Sequence, residues 1–151
     1  MNLNNLLHTE KLDMLLNFIK ANNHCVISTN SATNDSPESA VVAFSQTDDL
    51  KLIFGSLHES RKNQNILKNP NVSLVIGWSQ ENYITIQYEG LARLLHGEER
   101  EKYAEAHCTK NPGSRAFKDL PNQEYFIIEP KWIRYSDVME DEAKVFEVNF
   151  N

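Results

Sequence analysis

Cysteine is scarce: Cys25 and Cys108 are the only two in 151 residues. Two thiols make no disulfide framework, and they lack the paired spacing of a zinc site. The compartment expected from this is the reducing cytosol, a cytoplasmic protein. Long apolar runs are also missing. No stretch of about 18 apolar residues occurs, so neither a membrane span nor a membrane partner is expected. Glu10, Lys11 and Asp13 interrupt the apolar residues of the segment 3–19 and Lys20 follows it, which argues against a secretory leader. Catalytic signatures are lacking as well. There is no Gly-x-Ser-x-Gly elbow and no phosphate loop ending in Lys-Ser/Thr. His8, His24, His58, His96 and His107 never stand three or four residues apart, so no metal is expected. Cys108 falls at the end of a predicted helix, where the dipole does not favour a thiolate, so no catalytic thiol is expected.

Positive charge is in short supply. Fifteen Lys and Arg face 21 Asp and Glu, a net charge of -6. Phosphate backbones demand basic surface, so nucleic acid is not an expected partner. The charge is unevenly spread, however. Residues 137–147 carry a net -4, whereas residues 51–78 carry a net +3. A small anion can be held in the second segment.

What is present is a strand-rich pattern. Leu12, Leu15, Leu16 and Ile19 form one apolar helix face, with Thr9 as its expected N-cap and Asn22-Asn23 as its stop. Strands are expected at 25–29, 40–44, 50–55, 72–78 and 83–95, then at 125–128 and 132–135 broken at Pro130, and finally at 145–150. Helices are expected at 56–68 and 97–108. Gly90 inside its strand signals a bulge or bend. Helices do not alternate with strands, so a doubly wound sheet is not expected. Six or seven strands with three peripheral helices predict a mainly β, antiparallel barrel.

The most informative stretch is Phe54-Gly55-Ser56-Leu57-His58-Glu59-Ser60-Arg61-Lys62. A strand ends at glycine, a hydroxyl-rich turn follows, and a helix opens on two cations. Free N–H groups, the helix dipole and Arg/Lys all favour an anion, a phosphate monoester being a natural guest. The other reading is a capping box, Ser56 to Glu59, followed by a solvated cationic face. Ser39-Ala40-Val41 opens a strand with small residues against which a flat ring can lie, although ordinary strand reads the same way. Thr85 and Gln87 share the face opposite Ile84, Ile86 and Tyr88, a face open to solvent, a dimer contact or a ligand. Trp78, Trp132, Tyr135 and Tyr88 are read as core or interface aromatics.

The blocks Pro37-Glu38-Ser39-Ala40-Val41-Val42-Ala43-Phe44, Ser60-Arg61-Lys62 with Asn69-Pro70-Asn71-Val72, Val75-Ile76-Gly77-Trp78, Thr85-Ile86-Gln87-Tyr88-Glu89-Gly90 and Pro130-Lys131-Trp132-Ile133-Arg134-Tyr135-Ser136-Asp137 occur in an order and spacing that resembles the pyridoxamine 5'-phosphate oxidase-related family. The resemblance covers residues 10–137 of a single domain, leaving 138–151 as a tail. It implies a Greek-key split β-barrel that pairs as a homodimer and holds FMN at the subunit interface. By that resemblance Ser60, Arg61 and Lys62 grip the FMN phosphate. Ser39, Ala40, Val41 and Val42 line the isoalloxazine, as do Phe54, Gly55 and Ser56, and Thr85 and Gln87 add contacts, from the partner subunit. The expected function is a flavoprotein oxidoreductase acting on a small molecule, reduced by NAD(P)H or another reductant. The alternatives are a non-catalytic flavin carrier or redox sensor, and a haem- or deazaflavin-using relative with His58 beside the site. Members that oxidise the phosphorylated vitamer end in an Arg-containing segment. Here Val138-Met139-Glu140-Asp141-Glu142 is acidic instead, so the chain is more similar to the short, general-stress-protein-like members.

Overall fold

A computed structural model describes residues 7–139 and 141–151. Residues 3–6 of the apolar segment and Glu140 of the acidic tail lie outside the described residues. The chain forms helix α1 (His8–Lys20), strands β1 (His24–Asn30), β2 (Pro37–Ala43), β3 (Ser45–Gln46) and β4 (Leu52–Leu57), helix α2 (Arg61–Lys68), strands β5 (Asn71–Gly77) and β6 (Ile84–Leu94), helix α3 (Gly97–Lys110), a 3-10 turn at Pro112–Phe117, and strands β7 (Gln123–Asp137) and β8 (Lys144–Asn149).

All strands join one antiparallel sheet in the order β2-β1-β5-β6-β7-β4-β3, with β8 also on β7. The sheet curls into the split barrel, bringing β2 near β4 without a ladder between them. The strands read inward and outward in turn, as period two requires. Cys25, Ile27 and Thr29 of β1, Val72, Leu74 and Ile76 of β5, and Ile86, Tyr88 and Ala92 of β6 are buried. Helix α1 closes this core with Leu15 and Ile19, both fully buried. The Tyr88 hydroxyl finds backbone oxygens at Leu50 (2.9 Å) and Ile128 (3.1 Å), so its polar end is satisfied inside the barrel.

Three local expectations are corrected. Thr9 is not the cap of α1: the helix already begins at His8, and the Glu10 carboxylate accepts the Leu7 N–H at 2.7 Å. Residues 56–60 are not helical, because β4 runs on to Leu57 and α2 opens only at Arg61. This also removes the Ser56–Glu59 capping box. Pro130 does not break its strand: β7 is one strand of 15 residues. A register shift at Glu89/Gly90 sets Gly90 opposite Pro130 and Glu89 opposite Trp132. On its other edge β7 pairs with β4 as far as Ile128 and with β8 from Trp132. The proline therefore falls in the gap between β4 and β8, where neither neighbour needs its missing N–H. The expected bulge at Gly90 is present, and a Cβ there would stand 2.5 Å from the Glu129 carbonyl oxygen. Ile53 takes the face of β4 opposite Leu52 and Phe54. With Leu95, Ala104, Tyr125 and Ile127 it forms a second small core under α3, so β4 is buried on both faces.

Candidate functional site

The turn from β4 into α2 is built from polar side chains that satisfy one another. Asn63, fully buried, donates to the Ser56 carbonyl (3.3 Å) and to Glu124 Oε1 (3.0 Å). The Ser60 hydroxyl donates to Asn63 Oδ1 (2.8 Å) and lies 2.9 Å from the Ser56 hydroxyl. Buried polar groups of this kind fix a geometry when all are paired. They hold the first turn of α2, and so Arg61 and Lys62, against the ends of β2 and β4.

Lys62 sits between two clefts. One, of about 320 Å³, runs along Val41, Val42, Gly55 and Ser56 to Tyr125. The other, of about 370 Å³, is bounded by Thr29, Glu38, Ser39, Ala40 and Arg61. Lys62 lines both. Burial lowers the pKa of its ammonium. Among the described residues nothing hydrogen-bonds or ion-pairs with it. A half-buried cation without a counter-charge is costly unless an anion arrives from outside.

Arg61 is placed differently. Its guanidinium pairs with Glu38 on the neighbouring strand, and its side chain is 78% exposed. Glu38 is in turn held by Asn65 Nδ2 at 2.7 Å. The buried Asn65 also accepts the Ala32 N–H (2.8 Å) and donates to the Thr29 hydroxyl (3.0 Å). The cleft beside Arg61 thus contains two cations and one carboxylate.

The fold brings most of the nominated residues together around Lys62, but not all. Ser39 and Ala40 line one cleft and Val41, Val42, Gly55 and Ser56 the other. The Ser39 hydroxyl meets that of Ser28 across the β1–β2 pair at 2.8 Å. Ser60 lines neither cleft and acts through Ser56 and Asn63. The Phe54 side chain points into the core and stacks on Phe126, centroids 5.3 Å apart. Thr85 and Gln87 lie on β6, with β1 and β5 between them and β2, and they line neither cleft of their own chain. Gln87 shares the outer face with Val75, Val26 and Val41, which are paired across the strands and 38–69% exposed. Trp78, 60% exposed, stacks on Tyr83 and is not in the core. Trp132 donates to Glu147 on the outside of the sheet (3.1 Å).

Two histidines stand near the clefts. His58 lines neither; its Nδ1 is 3.1 Å from Glu124 Oε1. His107 does line the Val41–Tyr125 cleft, but it is 2% exposed and its Nδ1 is 3.3 Å from the Ser45 hydroxyl. Burial, and next the nearby Lys110 charge, push its pKa down to about 4, so it is neutral near pH 7. Glu38, Asn63, Asn65 and His107 were not nominated from sequence. Only Glu38 carried a signal, its place in the block that opens β2.

The family model described as pyridoxamine 5'-phosphate oxidase matches residues 12–137. The chain belongs to this family. Solved structures agree with the assignment. General Stress Protein 26 from Bacillus anthracis is 26% identical with a TM-score of 0.67, covering 85% of this chain and 94% of its own. A putative pyridoxamine 5'-phosphate oxidase from Listeria innocua is 23% identical with a TM-score of 0.68, covering 83% and 97%. A heme binding protein from Mycobacterium smegmatis shares the fold at a TM-score of 0.81 and 11% identity, covering 95% of this chain but 60% of its own. No curated protein matches the sequence significantly. Among the described residues no helix is long and apolar enough to cross a membrane, and no group of three potential ligands can hold a metal ion.

Proposed function

We propose that the protein is an FMN-binding oxidoreductase of this family that works as a homodimer in the cytoplasm. One observation carries the reading: the half-buried ammonium of Lys62 has no partner among the described residues and opens into both clefts. A phosphate monoester supplies the missing charge, and the Arg61 guanidinium lies on the same turn. The backbone of β2 from Ser39 to Val42 and of β4 at Gly55 and Ser56 would flank the ring. FMN, when bound, supplies the redox chemistry, so no nucleophilic side chain is required. The protein's part is to hold the phosphate, orient the ring and keep water from one face of it. The exposed row Val41, Val26 and Val75, continued by Gln87, is the surface that a second subunit would cover. NAD(P)H or another reductant would deliver electrons.

The haem-binding neighbour motivates a second reading, but the histidines count against it. His58 faces Glu124 away from the clefts, and His107 is buried against Ser45. Neither presents a free ring nitrogen into a cleft, as an axial ligand must. Titration of the purified protein with FMN and, in parallel, with haem separates the readings. Saturable quenching of flavin fluorescence is the expected result, and turnover with NAD(P)H and an acceptor distinguishes an enzyme from a carrier. A protein that leaves FMN fluorescence unchanged but develops a haem Soret band overturns the reading.

A further inference from the structure

We propose that Glu38 is a built-in competitor for the phosphate end of the ligand, and that it sets how strongly the cleft prefers a phosphorylated ligand over its unphosphorylated counterpart. This rests on the FMN reading of the site. Glu38 opens β2 and contributes a carboxylate to the wall of the cleft it shares with Arg61 and Lys62. Its two oxygens have separate partners: Oε2 takes the Arg61 guanidinium and Oε1 takes Asn65 Nδ2 at 2.7 Å. The two attachments differ in strength. Asn65 is 3% exposed and anchored to the Ala32 N–H and the Thr29 hydroxyl, so its hold on Glu38 is fixed. The Arg61 side chain is 78% exposed, so its ion pair is screened by water and easily exchanged.

An arriving phosphate brings close to two negative charges and three acceptor oxygens to a cleft where the carboxylate offers one charge. It takes Arg61 from Glu38. Glu38 cannot leave, because Asn65 keeps it at the cleft wall, and its charge then opposes the phosphate it has yielded to. With Glu38 ionised, the three charged groups of the cleft sum to a single positive charge. Without it they match a dianion. A ligand that lacks the phosphate neither competes for Arg61 nor meets this repulsion.

The test is a pair of titrations, with FMN and with riboflavin, followed by fluorescence in the wild type and in Glu38→Gln. Glutamine keeps an oxygen for Asn65 and removes the charge. FMN is expected to bind about tenfold more tightly in the variant, the scale of one carboxylate against a phosphate dianion some 6 Å away in a wet cleft. Riboflavin affinity is expected to stay the same. Raising the salt concentration is expected to shrink the difference. Glu38→Ala, which gives up the Asn65 bond, must show the same direction, and matching unfolding midpoints verify that both variants fold. If the wild type binds FMN and the variants bind it no better, or if riboflavin tightens equally, the Glu38 proposal is overturned and the flavin reading stands. If neither wild type nor variant binds FMN, both fall.

Discussion

Replacing Lys62 by Ala, with Arg61→Ala beside it, tests the anion site at its source. Arg61 and Lys62 are neighbours in sequence and carry the same charge, yet their surroundings differ. Lys62 is half-buried, its pKa is lowered by that burial, and among the described residues it has no partner. A charge-assisted contact to phosphate in such a place is worth about 1.5–3 kcal/mol. Lys62→Ala should therefore weaken FMN binding by a factor of about 10 to 150 at neutral pH. Arg61 is mostly exposed and already engaged by Glu38, so its exchange of one anion for another gains less than about 1 kcal/mol. Arg61→Ala should cost no more than about fivefold. Fluorescence titration with FMN reads both numbers, and riboflavin, which has no phosphate, serves as the control. The pH profile adds a signature. A lysine whose pKa is lowered by burial loses its proton at a lower pH than a free one, so wild-type affinity should fall as the pH rises through that lowered value. Lys62→Ala should flatten the alkaline fall. If the two single variants weaken FMN equally, or if riboflavin suffers as much as FMN, the assignment of Lys62 as the buried phosphate cation is refuted.

Three other outcomes are expected. His107 has an ordinary value of 6.5 and a folded value of about 4, so the unfolded chain takes up a proton that the folded one refuses. Stability should be complete above about pH 6.5 and decline as the pH falls toward 4, by about 3 kcal/mol in all; urea unfolding of wild type and His107→Gln at pH 7.5 and 4.5 checks that this part of the decline disappears in the variant. Gly90→Ala drives a methyl to within 2.5 Å of the Glu129 carbonyl oxygen, and the cost should be about 1–3 kcal/mol, read as a drop in Tm. An unchanged midpoint would show that the bulge has slack. Val41→Asp places a charge in the exposed valine row and should shift the protein to monomer in light scattering, with a Tm that falls by the stability association supplied and no longer rises with protein concentration.

Much of this fold was legible because its strands alternate cleanly. β1, β5 and β6 each bury every second residue, so their faces could be assigned from sequence alone. In β4 the same alternation separates Leu52 and Phe54 from Ile53, but it does not show that α3 covers Ile53 and so buries both faces of the strand. Pro130 misled for a different reason. It looked like a strand break because its tolerance depends on which neighbour lies beside it, a fact of the sheet and not of the local sequence. The cationic turn was visible as charge and hydroxyls following a glycine. Its internal pairing was not: the contact of Arg61 with Glu38, and the lack of a partner for Lys62 among the described residues, arise from a strand and a helix that meet only in the folded chain. Phe54 was nominated for its position at the end of β4, but alternation turns its ring inward and leaves Gly55 and Ser56 at the cleft.

The change of neighbour along β7 also affects how the molecule opens. One edge of the strand is bonded to β6 from Phe126 to Asp137, whereas the other serves β4 over residues 123–128 and β8 over residues 132–137, with Pro130 between. The proline works like a missing tooth in a zipper. Peeling β8 from the barrel breaks the bonds of residues 132–137 and stops there, leaving untouched the ladder that positions β4 and the clefts. The amide protons of the two segments should then exchange with solvent as separate groups, those paired with β8 the faster. The chain end can fray and reseal while the half of the sheet that carries the clefts stays closed.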